Sequence, residues 1–440
     1  LARIAVVCPA FYSHLRVFEA FGEQLRTLGH QMVFMLPEGM ETMVHGPGFE
    51  VVGVPLLPGY DPEAATRRAA RPRGIIGILR TVADSATVTD GLCRSGPRIL
   101  RELGIDAIVG DELEPAAGLL ARHLRLPFAS MAVALPIERD PSMPLPFLGW
   151  PYDATERGLK RNRGGELVGG LLLGRQRRVI RRWAQQFGLS ALRTDIDCLS
   201  DRLRIAQTVA SFDFPRRADT LLRPVGPIRS QTPRPGSVAC VPDKGARPLV
   251  FASLGTLQGH RFELFRMIAE ACRDLGTQLL IAHCGGLDPL QAARLDAEHV
   301  VDFTDQPAML ENADVCVTHG GLNTVLDALA TRTPMLALPI AFDQPGVGAR
   351  IRHHRVGETL AAGRATRAGI RLRLERILEG RDAYLAAAEP MRHDIARSNG
   401  ARTAAGLVDA FLARRGDTVA VPARPALAPT GITPHGAAPG

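Results

Sequence analysis

Residues 318–329 read THGGLNTVLDAL, placing a histidine, two glycines, an asparagine, a threonine and an acid where an apolar run gives way to a helical pattern. A helix start leaves its first N–H groups unpaired and carries the positive end of the helix dipole, which together suit a phosphate. Gly320 and Gly321 would let a ligand approach the backbone, and His319, Asn323 and Thr324 could add hydrogen bonds to phosphate oxygens. Asp327 falls one turn after Asn323, on the same helical face. A carboxylate there suits the hydroxyls of a ribose, whereas it would repel a phosphate. The same residues also allow a plainer use, in which Asn323 caps the helix, the glycines shape a turn and Asp327 is solvated.

Other polar residues stand at the ends of apolar runs in the same way. Ser253, Gly255 and Thr256 lie in SLGTLQGH (253–260), where Gly255 permits close approach and the two hydroxyls can bond a ligand. Asp343 and Gln344 follow PMLALPI (334–340), and an acid beside an amide can hold neighbouring hydroxyls of a sugar. Phe303 ends HVVDF (299–303), where its ring could stack on a base or fill the core. In the first half of the chain, His14 sits in the loop expected after RIAVVCPA (3–10), and Asp111 ends DAIVGD (106–111). A histidine can act as general base, and a carboxylate can orient its ring and stabilise the imidazolium that forms. Asp111 could also cap the helix expected at 114–124, and Glu112 and Glu114 stand by as alternative acids. The D-x-D within TDIDC (194–198) has no strand before it and reads as surface, not as a metal site.

Such positions matter if the runs before them are parallel strands, because open parallel sheets bind ligands beyond their carboxyl ends. The first half supports this: apolar runs at 3–10, 31–36, 49–56, 106–111 and 126–133 alternate with helical patterns, one at 17–30 stopping at Gly29. Residues 223–248 hold six prolines and read as a linker. The alternation then restarts with runs at 249–255, 278–285, 299–303, 313–319 and 334–340. The expected organisation is α/β, with one domain over 1–222, a linker over 223–248 and a second domain over 249–390. A helical segment over 391–416 is expected to return toward the first domain, and the Pro-, Ala- and Gly-rich stretch 417–440 reads as a disordered tail.

Composition narrows the partners. A net charge of +8 admits nucleic acid or an anionic membrane, but aromatics at 5% and the lack of any nucleic-acid-binding signature argue against nucleic acid. Seven scattered cysteines without a C-x-x-C argue against a disulfide framework or structural zinc, and for a reducing cytoplasm. LARIAVVCPAF is too short an apolar run for a signal peptide, and no run is long enough to span a bilayer. The expectation is a soluble or at most peripheral protein. The apolar, Pro-rich stretch 130–152 suits a hydrophobic pocket, while 160–183 flanks an apolar run with eight basic residues and could touch a membrane surface.

The stretch FTDQPAMLENADVCVTHGGLNTVLDALATRTPMLALPIAFDQP (303–345) resembles the donor-binding signature of UDP-sugar-dependent glycosyltransferases. That family has two Rossmann-like domains facing each other across a cleft, the arrangement called GT-B. The resemblance implies that Phe303 stacks on uracil and Gln306 follows it in the nucleoside pocket. It puts His319, Asn323 and Thr324 at the diphosphate with Gly321 between them, Asp327 at the ribose, and Asp343 and Gln344 on the glucosyl hydroxyls. Phenylalanine stands where tryptophan is usual, Leu322 replaces an aromatic residue, and Asp327 replaces a glutamate. The family's catalytic histidine and its partner acid match His14 and Asp111. ARPLVFASLGTLQGHR (246–261) and VALPIERDPSMPLPF (133–147) are similar to the carotenoid-pathway branch of the family. This implies UDP-glucose as donor, zeaxanthin as a lipophilic acceptor, inversion at the sugar, and no metal or cofactor. A sterol or macrolide acceptor, a nucleotide-sugar epimerase and a non-catalytic sensor are the alternatives.

Overall fold

Side chains alternate across a strand, so a strand with apolar residues on both faces needs cover on both sides of its sheet. In β1 (Arg3–Val7), Ile4 and Val6 join one core with Phe18, Phe21 and Leu25, while Ala5 and Val7 join another with Leu92, Leu119 and Leu120. The computed structural model describes residues 1–71, 74–138, 140–216, 220–230 and 245–414. After β1 come α1 (Tyr12–Thr27), β2 (Gln31–Pro37), β3 (Glu50–Val54), α2 (Pro62–Ala70), α3 (Gly74–Glu102), β4 (Ala107–Asp111) and α4 (Ala116–Leu124). The domain continues through β5 (Phe128–Ala132), α5 (Glu156–Leu172), α6 (Gly174–Gln186), β6 (Arg204–Ala206) and β7 (Leu222–Pro224). Its strands lie in the order β3-β2-β1-β4-β5-β6-β7, and all pair in parallel.

The second domain repeats the plan. It runs β8 (Leu249–Ser253), α7 (Gly255–Gln258), α8 (Phe262–Leu275), β9 (Gln278–Ala282), α9 (Pro289–Ala292), β10 (His299–Val301), α10 (Gln306–Asn312) and β11 (Val315–Thr318). Then follow α11 (Leu322–Ala330), β12 (Met335–Ala337), α12 (Gln344–His353), β13 (Gly357–Thr359), α13 (Arg367–Glu379), α14 (Arg381–Arg397) and α15 (Gly400–Ala413). The strand order is β10-β9-β8-β11-β12-β13, again parallel. Val250 and Ala252 face α8 and α13, while Leu249 and Phe251 face α10, α11 and α14. The fold is therefore α/β, with two Rossmann-like parallel sheets.

Three features depart from the sequence reading. The linker expected over 223–248 begins too early, because β7 takes residues 222–224 and Val225 and Ile228 are buried in the first domain's core. Pro224 is tolerated there because β7 is the edge strand, where a missing N–H breaks no ladder bond. The part of that linker over 231–244 lies outside the described residues, as do 415–440 with the expected tail. Second, α1 begins at Tyr12, so His14 is in the first turn of a helix, not in a loop. Third, the short strands β6 (RIA), β7 (LRP) and β13 (GET) lack the longer apolar run that marks the equally short β10 and β12 in sequence.

The end of the chain crosses back between domains. Ala404, Ala405 and Val408 of α15 are buried in the first domain's core, where the helix lies on α1. A second tie runs through Asp213, whose carboxylate accepts from Arg350 Nε of α12 at 2.7 Å and from Arg216 Nε at 2.5 Å. Both ends of the Asp213–Arg350 pair are buried, so removing Asp213 would strand the Arg350 charge at a cost of about 3–5 kcal/mol, whereas without Arg350 the carboxylate keeps Arg216. These ties hold the carboxyl edges of the two sheets face to face.

Candidate active site

In each sheet the strand order reverses between two neighbouring strands: β1 and β4 in the first domain, β8 and β11 in the second. That switch point opens a crevice beyond the strand ends. His14 follows β1 and Asp111 is the last residue of β4; Ser253 is the last of β8, and His319 comes just after β11. The candidate residues therefore gather at two crevices that face each other.

In the first crevice His14 Nδ1 lies 2.6 Å from Asp111 Oδ2, and both residues are buried. Asp111 Oδ1 accepts the Leu113 N–H at 2.9 Å, which fixes the carboxylate. An ionised carboxylate only accepts, so the neutral imidazole carries its hydrogen on Nδ1 and leaves a lone pair on Nε2. Burial lowers the His14 pKa, but the Asp111 charge and hydrogen bond, with Asp343 adding to them, leave it raised overall above the ordinary 6.5. The alternatives resolve structurally. Pro115, not Asp111, precedes α4; Glu114 accepts from the Thr89 hydroxyl and the Ala116 N–H; Glu112 accepts from the Ile137 N–H. Burial pushes Glu112 and Glu114 each up to about 7.

In the second crevice the glycines make room for a side chain of the protein itself. A Cβ on Gly255 would stand 2.7 Å from His319 Cε1, and one on Gly321 would stand 2.5 Å from the same ring. Gly255 also has φ +72° and Gly320 φ +83°, a region that favours glycine. Held between Gly255 and Gly321, His319 is pushed down to about 4 by burial and is neutral at ordinary pH. Its Nδ1 is buried with no partner among the described residues. Gly321 precedes α11 without any side-chain cap, so the helix's first N–H groups remain available.

The remaining donor-site candidates form one chain of contacts. Gln306 Nε2 donates to Asp327 Oδ2 at 2.7 Å, and the Thr324 hydroxyl approaches Gln306 Oε1 at 3.4 Å. Asn323 Nδ2 donates across the cleft to the Ser13 carbonyl, next to His14, at 3.3 Å. Asp343 Oδ2 accepts the Leu135 N–H of the first domain at 3.0 Å, and burial raises the Asp343 pKa. Gln344 opens α12, and its Oε1 accepts from the N–H groups of Ile340 and Ala341 at 2.8 Å each, leaving its amide hydrogens for a ligand. Ser253 is buried beside Gly255 N at 3.4 Å, so its hydroxyl shapes its own turn; Thr256 is exposed on α7, and Phe303 is half-buried just past β10.

Two residues escaped the sequence reading. Arg229 donates through Nε to Asp327 Oδ1 at 2.9 Å, through Nη2 to the Asn323 carbonyl at 2.9 Å and through Nη1 to Gln207 Oε1 at 3.0 Å. Gln207 in turn donates to Asn323 Oδ1 at 2.7 Å. Arg229 lies in the stretch read as linker, and no spacing signal marks either residue. The stretch after β5 lines a small cavity, with Pro136, Met143 and Leu145 facing Glu166 and Arg350. Its ends pack on the second domain: Leu135 joins that domain's core, and Pro146 meets Gly346 of α12 so closely that a Cβ there would lie 2.1 Å from its carbonyl oxygen. One other expectation changes. The D-x-D is half-buried, not surface, and Asp197 accepts from the Arg193 and Thr194 N–H groups and the Thr194 hydroxyl, which uses it as a turn cap.

Nothing in this architecture is peculiar to one chain: two facing Rossmann-like domains with crevices at both switch points make the GT-B fold of glycosyltransferases. The crystal structure of the glycosyltransferase of kitacinnamycin superposes with a TM-score of 0.71 at 19% identity, covering 93% of this chain and 99% of that one. The calicheamicin glycosyltransferase CalG4 gives 0.67 at 20% identity, covering 94% and 99%. Residues 191–387 match the family described as UDP-glucoronosyl and UDP-glucosyl transferase. Zeaxanthin glucosyltransferase of Pantoea ananas is 39% identical over 367 residues, 81% of this chain and 84% of that protein. Its counterpart from Pseudescherichia vulneris is 40% identical over 365 residues, 82% and 86%. The chain belongs to this family of glycosyltransferases.

Proposed function

We propose that the protein transfers glucose from UDP-glucose to the ring hydroxyls of zeaxanthin, giving the mono- and diglucoside with inversion at the anomeric carbon. The observation that carries the reaction is the buried His14–Asp111 pair, opposed across the cleft by an uncapped helix start and a neutral histidine. The acceptor is the one named in two relatives at 39% and 40% identity over most of the chain.

In this reading His14 Nε2 takes the proton of the acceptor hydroxyl as its oxygen attacks the anomeric carbon from the face opposite UDP. The new C–O bond forms as the bond to the β-phosphate oxygen breaks, so an α-linked donor yields a β-glucoside. Asp111 stabilises the imidazolium, and the α11 N–H groups with His319, Asn323 and Thr324 take up the charge on the departing diphosphate. Asp327 and Gln306 hold the ribose and base, Phe303 lies against the uracil, and Asp343 and Gln344 hold the glucosyl hydroxyls. Protein groups meet both developing charges, and no step calls on a metal or cofactor.

Incubation with UDP-glucose and a panel of hydroxylated carotenoids, sterols and macrolides tests the reading. UDP release with zeaxanthin, products one and two hexoses heavier, and a β-anomeric proton signal are expected. A product only with sterol or macrolide would replace the acceptor; no UDP release with any acceptor would sink the reading.

A further inference from the structure

The first two turns of α3 expose apolar side chains over an arc of about 160° of the helix. Ile75 and Ile76 are 67% and 66% exposed, and Ile78 and Leu79 are exposed as well. Four such residues within five positions cover more of the helix than the stripe that faces a core. A second apolar patch lies on α5, where Leu167, Val168 and Leu171 share one face by helical spacing and Leu171 is 80% exposed. The opposite face of α5 is buried through Asn162, Gly165 and Gly169. α5 touches α3, and α6 is bonded to α3 through Gln176 and Thr89 at 2.8 Å, so both patches belong to one helical layer of the first domain.

The charge along α5 and α6 is mostly positive. Between 156 and 182 the chain carries nine arginines and lysines against two acids, Glu156 and Glu166. Lys160 and Arg163 of α5 and Arg175 at the start of α6 are exposed, and Arg80 is exposed next to Leu79 on α3. Arg71, just before α3, stands beside His260 and Arg261 of the second domain, where burial and then the Arg71 charge hold both below their ordinary values. The start of α3 thus lies on the side of the first domain that is near the turn between α7 and α8. No helix among the described residues is long and apolar enough to cross a membrane.

We propose that this face docks on an anionic lipid bilayer, with the start of α3 and the outer face of α5 among the acyl chains and the basic residues on the lipid phosphates. The exposed arc of α3 and the outer face of α5 are separate apolar patches, and the exposed lysine and arginine side chains of the same helical layer complement an anionic surface. Apolar side chains ringed by lysine and arginine are the composition that holds a protein in the headgroup layer. The surface stands whatever the acceptor is. If the proposed lipophilic acceptor is right, docking brings the protein to the phase in which that molecule dissolves.

Flotation of the full chain with vesicles of phosphatidylcholine, with and without phosphatidylglycerol, measures the docking directly, without donor or acceptor. Binding to the anionic vesicles, weakened by added salt, is expected. The double change Ile76→Asp and Leu171→Asp lowers it at least about tenfold, and Arg163→Gln or Arg175→Gln about fivefold each. UDP binding and turnover of detergent-dispersed acceptor serve as fold controls and stay at parental level, since these exposed side chains are outside the cleft. No vesicle binding by the parent, or equal binding by the double variant, overturns the proposal. Self-association of the parent that the same double change abolishes, without vesicle binding, assigns the face to a second copy and overturns it too.

Discussion

His14 and His319 stand at matching places, each near the carboxyl end of a central strand beside the switch point of its sheet, yet their surroundings drive them to opposite chemistry. His14 has a carboxylate 2.6 Å from Nδ1, which outweighs burial and raises its pKa above 6.5. His319 lies half-buried between two glycines, with no acid acting on it among the described residues, and desolvation takes it down to about 4. A ring with a carboxylate partner can accept a proton and keep it; a ring without one stays neutral and serves as a hydrogen-bond donor. The difference is chiefly one aspartate, and in the proposed reaction it separates a base for the acceptor from a ligand for the donor.

The strongest way to break the contrast is His14→Ala. Turnover should fall about a thousandfold while UDP-glucose binding measured by calorimetry stays near the parental value; near-normal turnover would remove His14 from the role of base. Asp111→Asn should make His14 more like His319, with kcat/KM falling about a hundredfold or more. The parent's kcat/KM should rise with pH through a midpoint above 6.5, and the variant's midpoint should drop, because burial, which lowers the pKa, is then opposed by Asp343 without Asp111. The stability effect has the opposite pH sense. A raised folded-state pKa stabilises the fold fully below the unfolded value and loses that contribution as pH rises through the folded value, so Asp111→Asn should destabilise more at acid than at alkaline pH in urea titrations.

On the donor side, His319→Ala should weaken UDP-glucose binding about tenfold, as loss of one hydrogen bond to a charged oxygen predicts. The ratio of parental to variant affinity should stay flat from about pH 5.5 to 8, because a ring at about 4 does not titrate there. A step in that ratio near neutrality would make the two histidines alike after all. The smallest expected effect is that of Arg229→Ala. It releases Asp327 Oδ1 and the Asn323 carbonyl, and should raise the KM for UDP-glucose by about fivefold, with kcat nearly unchanged.

Legibility differed between the same two halves. The second crevice is built largely from one contiguous stretch, so His319, Asn323, Asp327, Asp343 and Gln344 could be read together from spacing. The first crevice joins His14 to Asp111, residues 97 positions apart, and no local pattern says that they touch. The glycine roles were legible only in part: the need for small residues at 255 and 321 was visible, but what fills the space is the His319 ring. Arg229 was hidden in a proline-rich stretch whose composition suggests a linker, although Ile228 beside it is buried.

By itself the sequence determined the two parallel α/β domains and the polar residues at their strand ends, because apolar alternation and helix-start chemistry are local and repeat along the chain. Only the tertiary structure decided which of those residues meet. The His14–Asp111 pair, the Asn323 contact to Ser13, the Arg229 clasp and the Asp213–Arg350 tie all join distant positions. Contacts of that kind depend on how strands are ordered and how domains are set against each other. So does the proton affinity of each histidine, which is fixed by the charges and burial around it rather than by its neighbours in sequence.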